Sequence, residues 1–596
     1  MKTFKEIENP FIVHTPEGMK AKDAIALFVD VFSDFPKILN VGHLFLHGPR
    51  GSGKSMIFRY LEPDCQCLAK QINTAELTFF SVLIPVKRTN FNRTELQLLE
   101  GRHASILINE HFMTLNIAEK FFDSFSNIIL EDNSSVLTNA IVQFMKDDFY
   151  SLLQNCGYAD TLPDNFQRSA KDCVETMKGI CKQLISNILG YSGGLAFARG
   201  QSISYSGPIC NYIDFLYPLM CKAKERSIIP KKPIYLLIDD ADLLSLTQTQ
   251  ILNTWVSSRT STEVSIKVST QLRYKTYQTI TGQNIETPHD FAEVNISTIY
   301  TASPKSKYKE RMTEIVRRRL VKIAGLEMTP EVFFPEDKKQ EAAIKKIAQE
   351  YVDKWATKGK GYRAGDDAYR YARPEYIKRL GGSRKSKHTY KYAGFDQLLH
   401  ISSGIIRYFL DSAAFMFGEM KASRQNEAAE CIPPDVQSKI IFAQAVEFLM
   451  NQFEKIKDDR SAEAPQISEI RKLENLINSL GELFNKILVS DRSERRVFSI
   501  AISDALDNDM RELLKLGTEF GYFHKSSIGN KEGTGRTALY VLSRRLAPYF
   551  KLDPTSFAGY LFVTNDDLIT ATINPKKFIR DRLKDTDNKI KQFTLF

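Results

Sequence analysis

Short apolar runs alternate with long stretches of helical periodicity along this chain. Ala24-Ile25-Ala26-Leu27-Phe28-Val29 opens an amphipathic helix after a turn at Asn9-Pro10-Phe11. Gly42 to His47 predicts a short buried strand, and Met56 to Leu61 a helix that stops at Pro63. Leu83-Ile84-Pro85-Val86 predicts a second strand. From about residue 100 to 228 the pattern becomes helical, with Ile106, Ile108, Phe112, Leu115 and Ile117, then Phe121, Phe122, Phe125 and Ile128, recurring at roughly helical spacing. Pro233 to Ile238 is apolar throughout, as a central parallel strand buried on both faces would be. A helix from Leu243 to about Ser257 follows. Val264 to Gln271 then alternates as a strand, and Ala292 to Ile296 is a last strand candidate. Arg317-Arg318-Arg319-Leu320 ends a helix that begins a new unit.

Beyond residue 311 the pattern is mostly helical. Phe395 to Leu410 predicts a helix, a tight turn at Gly404 and a second helix. Leu473, Leu476, Ile477, Leu480, Leu483, Phe484, Ile487 and Leu488 share one helical face. Val497–Ile502 predicts a strand, and Met510 to about Phe520 a helix. Two strands, 522–528 and 537–542, then flank the glycine-rich, charged turn 529–536. Helix, strand, helix and hairpin predict a winged-helix-like module. A full winged helix carries another helix after its first strand, and only Ser503–Leu506 is available for it. Tyr191-Ser192-Gly193-Gly194-Leu195 reads as a loop, because small-residue clusters mark turns.

The candidate chemistry falls at the ends of the strands. Gly48-Pro49-Arg50-Gly51-Ser52-Gly53-Lys54-Ser55 is a complete G-x-x-x-x-G-K-[ST] motif between the first strand and a helix that continues at Met56. In that context the glycines let backbone N–H groups face phosphates, and the helix N-terminus adds partial positive charge. Lys54 is expected to reach the outer phosphates, and the Ser55 hydroxyl to ligate Mg²⁺. The apolar run 233–238 ends in Asp239-Asp240-Ala241-Asp242, where open α/β sheets bind ligands. Asp239 has the place of a Walker B metal ligand, and Asp240 that of the water-polarising acid. Thr270 and Gln271, at the end of 264–271, stand where a γ-phosphate sensor would lie. Arg407, in the first turn of its helix, opposes the helix dipole and calls for a partner, for which an ATP phosphate is one candidate.

Composition sets outer bounds. A chain of 596 residues holds several domains. No run approaches ~18 consecutive apolar residues, and Met1–Ile7 has no apolar signal core, so a cytoplasmic protein without a membrane span is expected. The eight scattered cysteines read as reduced thiols. The net charge of +10 permits nucleic-acid contact without demanding it. Residues 360–391 are more pointed, with ten Lys/Arg against three acids and Tyr362, Tyr369, Tyr371, Tyr376, Tyr390 and Tyr392 in or beside them. Basic residues interleaved with aromatics suit a nucleic-acid strand. Arg384, Lys385 and Lys387 there, and Lys531 and Arg536 in the hairpin turn, are the candidate contacts; a solvated basic insertion is the alternative.

Taken together, GPRGSGKS (48–55), LLIDDADLL (236–244), IKVSTQ (266–271) and SSGIIRYFL (402–410) resemble the origin-recognition-like branch of AAA+ ATPases in a bacterial, heavily inserted form. The resemblance implies an α/β fold: a P-loop NTPase αβα sandwich over 1–310 with a helical insertion at about 100–228. A helical lid over 311–425 carries the basic insertion 360–391. Linker helices over 426–470, a winged-helix-like domain over 471–555 and a tail over 556–596 follow. It implies ATP and Mg²⁺ as cofactors, Arg407 as the lid (sensor 2) arginine, Thr270 or Gln271 as sensor 1, and DNA, a homo-oligomer or a partner protein as partners. Related bacterial ATPases serve in phage defence or mobile-element biology. The Asp at 240, where hydrolysing relatives carry Glu, predicts slow turnover. An arginine finger is open between Arg259 and Arg273. The competing reading is a STAND-type signalling scaffold that holds ATP and binds protein.

Overall fold

The computed structural model describes the chain except for residues 1, 30–34, 90, 92, 98, 100–104, 132–133, 161–168, 196–203, 259–261, 272–273, 297–307, 357–363, 382–388, 452, 455–466, 491–495, 530–535, 556–558, 586–589 and 593–596. It forms two compact units, residues 14–296 and residues 1–13 with 297–596.

The first unit is built on a parallel sheet of β1 (Leu44–His47), β2 (Phe80–Pro85), β3 (Ile234–Asp239), β4 (Val264–Thr270) and β5 (Ala292–Asn295), in the order β2-β3-β4-β1-β5. Every residue of β1, β3 and β4 is buried, as their apolar runs predict for the middle of a parallel sheet. β5 is an edge and keeps Ala292 and Glu293 exposed. β2, at the other edge, is also fully buried, because its Phe80, Val82 and Ile84 share an apolar cluster with the helices that follow it. The C-terminal ends of the parallel strands come together on one rim.

The stretch between β2 and β3 is helical, with long helices at Ser105–Glu131 and Ala170–Gly194 packed on each other. Its buried residues, among them Phe112, Phe121, Phe125, Phe144 and Met177, belong to the same apolar cluster as Phe45, Phe80 and Ile84 of the sheet. Buried polar bonds fix this packing. Glu110 accepts from Trp255 Nε1 (2.9 Å) and from the Tyr212 amide (3.2 Å), and Gln248 Nε2 donates to Phe91 O (2.7 Å). The expectation of a loop at 191–195 is corrected: Tyr191–Gly194 is the last turn of the 170–194 helix, with Ser192 buried. Packing of the helix outweighs the turn preference of its small residues.

The second unit carries the helices Tyr308–Arg319, Lys338–Ala356, Ala364–Gly381, Phe395–Ile401, Ile406–Ser423 and Pro434–Val446. It then forms a helix at Ile467–Leu488 beside a second sheet. That sheet holds β6 (Val497–Ile502), β7 (Phe523–Gly529), β8 (Arg536–Leu542), β9 (Gly559–Val563) and β10 (Ile590–Gln592), in the order β10-β9-β6-β8-β7. β7 and β8 form the antiparallel wing. Residues 503–507 are not helical, so the helix Asn508–Glu519 follows β6 directly. The stretch 556–596 does not behave as a tail. β9 pairs in parallel with β6, and the helices Asn565–Ile573 and Pro575–Asp585 pack on the 467–488 helix. Asn475 Nδ2 and Ser479 Oγ donate to Thr572 O (2.8 Å) and Ala571 O (2.9 Å) across that packing.

Candidate nucleotide site

β1 delivers the chain into the glycine loop at the C-terminal rim of the sheet. The Gly48 amide donates to Thr270 O of the adjacent β4 (3.3 Å), which fixes the start of the loop. A Cβ on Gly48 would stand 2.8 Å from Ser52 Oγ and 3.3 Å from Ile296 Cβ, so a side chain there would push both neighbours aside. Gly51 (φ 86°) and Gly53 (φ 98°) take the left-handed turn that launches the helix Lys54–Leu61. Pro49 is half-buried, Arg50 exposed, and Ser52 buried; Ser55 and Met56 are half-buried on the first turn.

Lys54 is buried, and its Nζ donates to Gly48 O (2.8 Å) and Pro49 O (3.2 Å). Burial pushes its pKa down, against the pull of Asp239, Asp240 and Asp242. These three acids therefore share one electrostatic site with the lysine, although Asp239 follows it by 185 residues in sequence.

Asp239 ends β3 fully buried. Its Oδ1 accepts from the Ser269 hydroxyl, whose oxygen in turn accepts from the Asp240 amide (3.1 Å). Its Oδ2 is buried with no hydrogen-bond partner among the described residues. Burial raises the Asp239 pKa, while the Ser269 and Ser55 hydroxyls and Lys54 lower it. Asp240 takes a left-handed backbone (φ 57°) and is half-buried; burial, then Asp239 and Asp242, push its pKa up to about 6. Thr270 is fully buried at the end of β4, and its Oγ1 also has no partner among the described residues. Gln271 is engaged elsewhere: its amide N and Nε2 donate to Asp242 Oδ1 (3.2 Å) and Oδ2 (2.8 Å). Of the two sensor candidates, Thr270 is thus the one that presents an unused hydroxyl.

The donor set fits a nucleotide with Mg²⁺. Asp239 has a hard oxygen, Oδ2, without a hydrogen-bond partner among the described residues, and the Ser55 hydroxyl is near enough to lower the pKa of this carboxyl. Among the described residues no group of three or more His, Cys, Asp or Glu could hold a metal alone. One carboxylate, one hydroxyl and phosphate oxygens is the arrangement Mg²⁺ accepts.

Three residues escaped the sequence reading. Ser269 bridges the two acids, and its only signal is its place in the polar alternation Ser265, Lys267, Ser269 along a fully buried strand. Asp242 clamps Gln271, and the third acid of Asp239-Asp240-Ala241-Asp242 is its signal. His47, just before the loop, is buried with Nε2 3.3 Å from Glu293 Oε1 on β5, and burial lowers its pKa against Glu293.

Arg407 belongs to the other unit. It is the second residue of the Ile406–Ser423 helix, half-buried, and its charge acts on Asp411 one turn along. Arg384, Lys385, Lys387 and Lys531, and the finger candidates Arg259 and Arg273, lie outside the described residues. Arg536 is exposed at the start of β8, with Nε 2.7 Å from Ser527 Oγ. The aromatic part of the 360–391 expectation needs correction. Tyr390 is buried, accepting from Arg373 Nη1 (2.7 Å) and donating to Gln397 Oε1 (3.0 Å). Tyr392 is buried and donates to Ala547 O (3.1 Å) and Leu552 O (3.0 Å). Both rings hold the fold and are closed to base stacking. Among the described residues no helix is long and apolar enough to cross a membrane.

A parallel sheet in which one strand separates the P-loop strand from the acidic strand, in the order β5-β1-β4-β3-β2, is the sheet of an AAA+-type P-loop NTPase fold. The chain belongs to the ORC-CDC6-like family, whose model matches residues 9–562. Among solved structures it is similar to the Aeropyrum pernix Orc1 protein in complex with DNA, at 9% identity over 91% of this chain and 92% of that one, with a TM-score of 0.27. It is similar also to Cdc6p from Pyrobaculum aerophilum, at 12% identity over 94% and 98% of the two chains, with a TM-score of 0.26. No curated protein matches the sequence.

Proposed function

We propose that this protein is an ATP-binding, slowly hydrolysing switch that acts on DNA or on a DNA-bound complex. The observation that carries the nucleotide reading is the pair of buried oxygens, Asp239 Oδ2 and Thr270 Oγ1, without hydrogen-bond partners among the described residues at the ends of adjacent strands beside the P-loop. A buried polar atom without a partner costs about 1–3 kcal/mol, a cost that a ligand would remove.

In this reading the loop 48–55 holds the phosphates through its backbone N–H groups, and Lys54 turns from Gly48 O and Pro49 O to the outer phosphates. Ser55 and Asp239 hold Mg²⁺, which when bound neutralises charge developing on the phosphates. Asp240 orients the attacking water, and its short side chain keeps turnover slow. Thr270 contacts the γ-phosphate. Arg407 answers the nucleotide from the helical lid, and bound nucleotide favours assembly with a second copy or a partner protein. Arg384, Lys385, Lys387, Lys531 and Arg536 contact the DNA backbone.

Titration of the full chain with DNA across a salt series, with and without ATP, tests this. Binding that weakens steeply as salt rises supports the reading. ATP binding without DNA binding at low salt leaves the STAND-type scaffold reading in its place.

A further inference from the structure

The helix Pro575–Asp585 lies beyond residue 562, where the family match ends. It carries Lys576, Lys577, Arg580, Arg582 and Lys584. Its inward face packs on the 467–488 helix, with Phe578 and Ile579 buried and Arg582 turned in to Asp567 (3.2 Å). Lys576, Arg580 and Lys584 instead recur at every fourth residue along the other side, about 6 Å apart on the axis.

These three, with Lys486 and Glu482 of the 467–488 helix and the apolar Ile579 and Leu583, line a cleft of about 400 Å³. Glu482 is the one acid in the lining and is paired with Lys486 (2.9 Å). Arg580 also has Asp581 at 3.2 Å, but both side chains are largely in solvent, where such a pair is weak and easily exchanged. Like charges four residues apart repel on a helix. Two successive repulsions on one ridge, faced by a fourth cation, are a standing cost that a linear polyanion offsets.

We propose that this cleft is a phosphate-backbone contact for nucleic acid, separate from the wing; the proposal rests on the DNA reading above. The regular spacing suits a repeating phosphodiester better than a single phosphate. A bilayer surface is disfavoured, because a basic helix that binds lipid lays its apolar face into the membrane, and here Phe578 and Ile579 are already packed.

The test is fluorescence anisotropy of the full chain with a random-sequence duplex between about 50 and 200 mM salt. Lys576→Gln, Arg580→Gln and Lys584→Gln together should reduce the slope of log K against log salt by about 2.7, or about 0.9 for each phosphate no longer neutralised. The charge-keeping set Lys576→Arg, Arg580→Lys and Lys584→Arg should hold the wild-type slope. An unchanged slope in the Gln set overturns the inference; if Arg536→Gln still weakens binding, the DNA reading survives it. Equal weakening in both sets means the helix is only structural, which also overturns it. Wild type that binds no duplex at low salt removes both readings. Binding to phosphatidylserine vesicles that disappears in the Gln set, with the DNA slope unchanged, assigns the cleft to a membrane instead.

Discussion

Lys54→Ala tests the nucleotide site most directly. The ammonium has three N–H donors, and two are already engaged with Gly48 O and Pro49 O. Moving to phosphate exchanges those two bonds for bonds to phosphate oxygens and brings the third donor into use. The net gain is at least one hydrogen bond to a charged acceptor, worth about 1.5–3 kcal/mol. Removing the side chain should therefore weaken ATP binding roughly 10- to 150-fold. The nucleotide-free protein should lose about 1–3 kcal/mol of stability and still fold, since the change leaves the buried Gly48 O without its donor, whereas water can reach the part-buried Pro49 O. Calorimetric titration with ATP and Mg²⁺, alongside a thermal melt, measures both. An unchanged Kd in a folded variant would refute the phosphate role of Lys54 and with it the nucleotide reading of the loop.

Asp240→Asn should bind ATP normally and lose hydrolysis, while Asp240→Glu should turn over faster than wild type; equal steady-state rates in all three would remove Asp240 from the water-orienting role. Because the Asp240 pKa is raised to about 6, its ionised fraction falls as pH drops through that value, so kcat/KM for ATP should decline below about pH 6 and the limb should vanish in the Asn variant. Arg407→Ala should leave the fold intact and reduce ATP-dependent assembly, read by sedimentation with a non-hydrolysable analogue; identical sedimentation would make Arg407 only the partner of Asp411. Tyr392→Phe leaves Ala547 O and Leu552 O without their buried donor and should cost about 1–3 kcal/mol in a denaturant melt; an unchanged midpoint would mean water replaces the hydroxyl.

The P-loop, β3 and β4 were legible because their signals are local: a glycine loop bounded by a strand and a helix, and apolar runs of strand length. The sheet order was not. That β4 lies between β1 and β3 depends on pairing across more than 200 residues, which periodicity does not encode. Composition also misled where burial decides. Tyr390 and Tyr392 look like stacking residues beside a basic loop, yet Arg373, Gln397 and two carbonyls complete their hydrogen bonds inside the unit. The stretch 556–596 is a tail in the domain order that the resemblance implies, whereas β9 within it pairs in parallel with β6, a long-range contact that local pattern does not encode.

The sheet order also bears on synthesis. β1 pairs only with β4 and β5, and Leu44 meets Lys267, 223 residues further along. At about 5–20 residues per second, β1 leaves the ribosome roughly 11–45 s before its first partner strand. Through that interval four residues destined for the middle of a sheet have no strand to pair with, while the helices between β2 and β3 can form from local contacts. The half of the nucleotide site that reads earliest in the sequence is then among the last parts of its unit to become protected, and chains arrested before β4 should remain open to protease at β1.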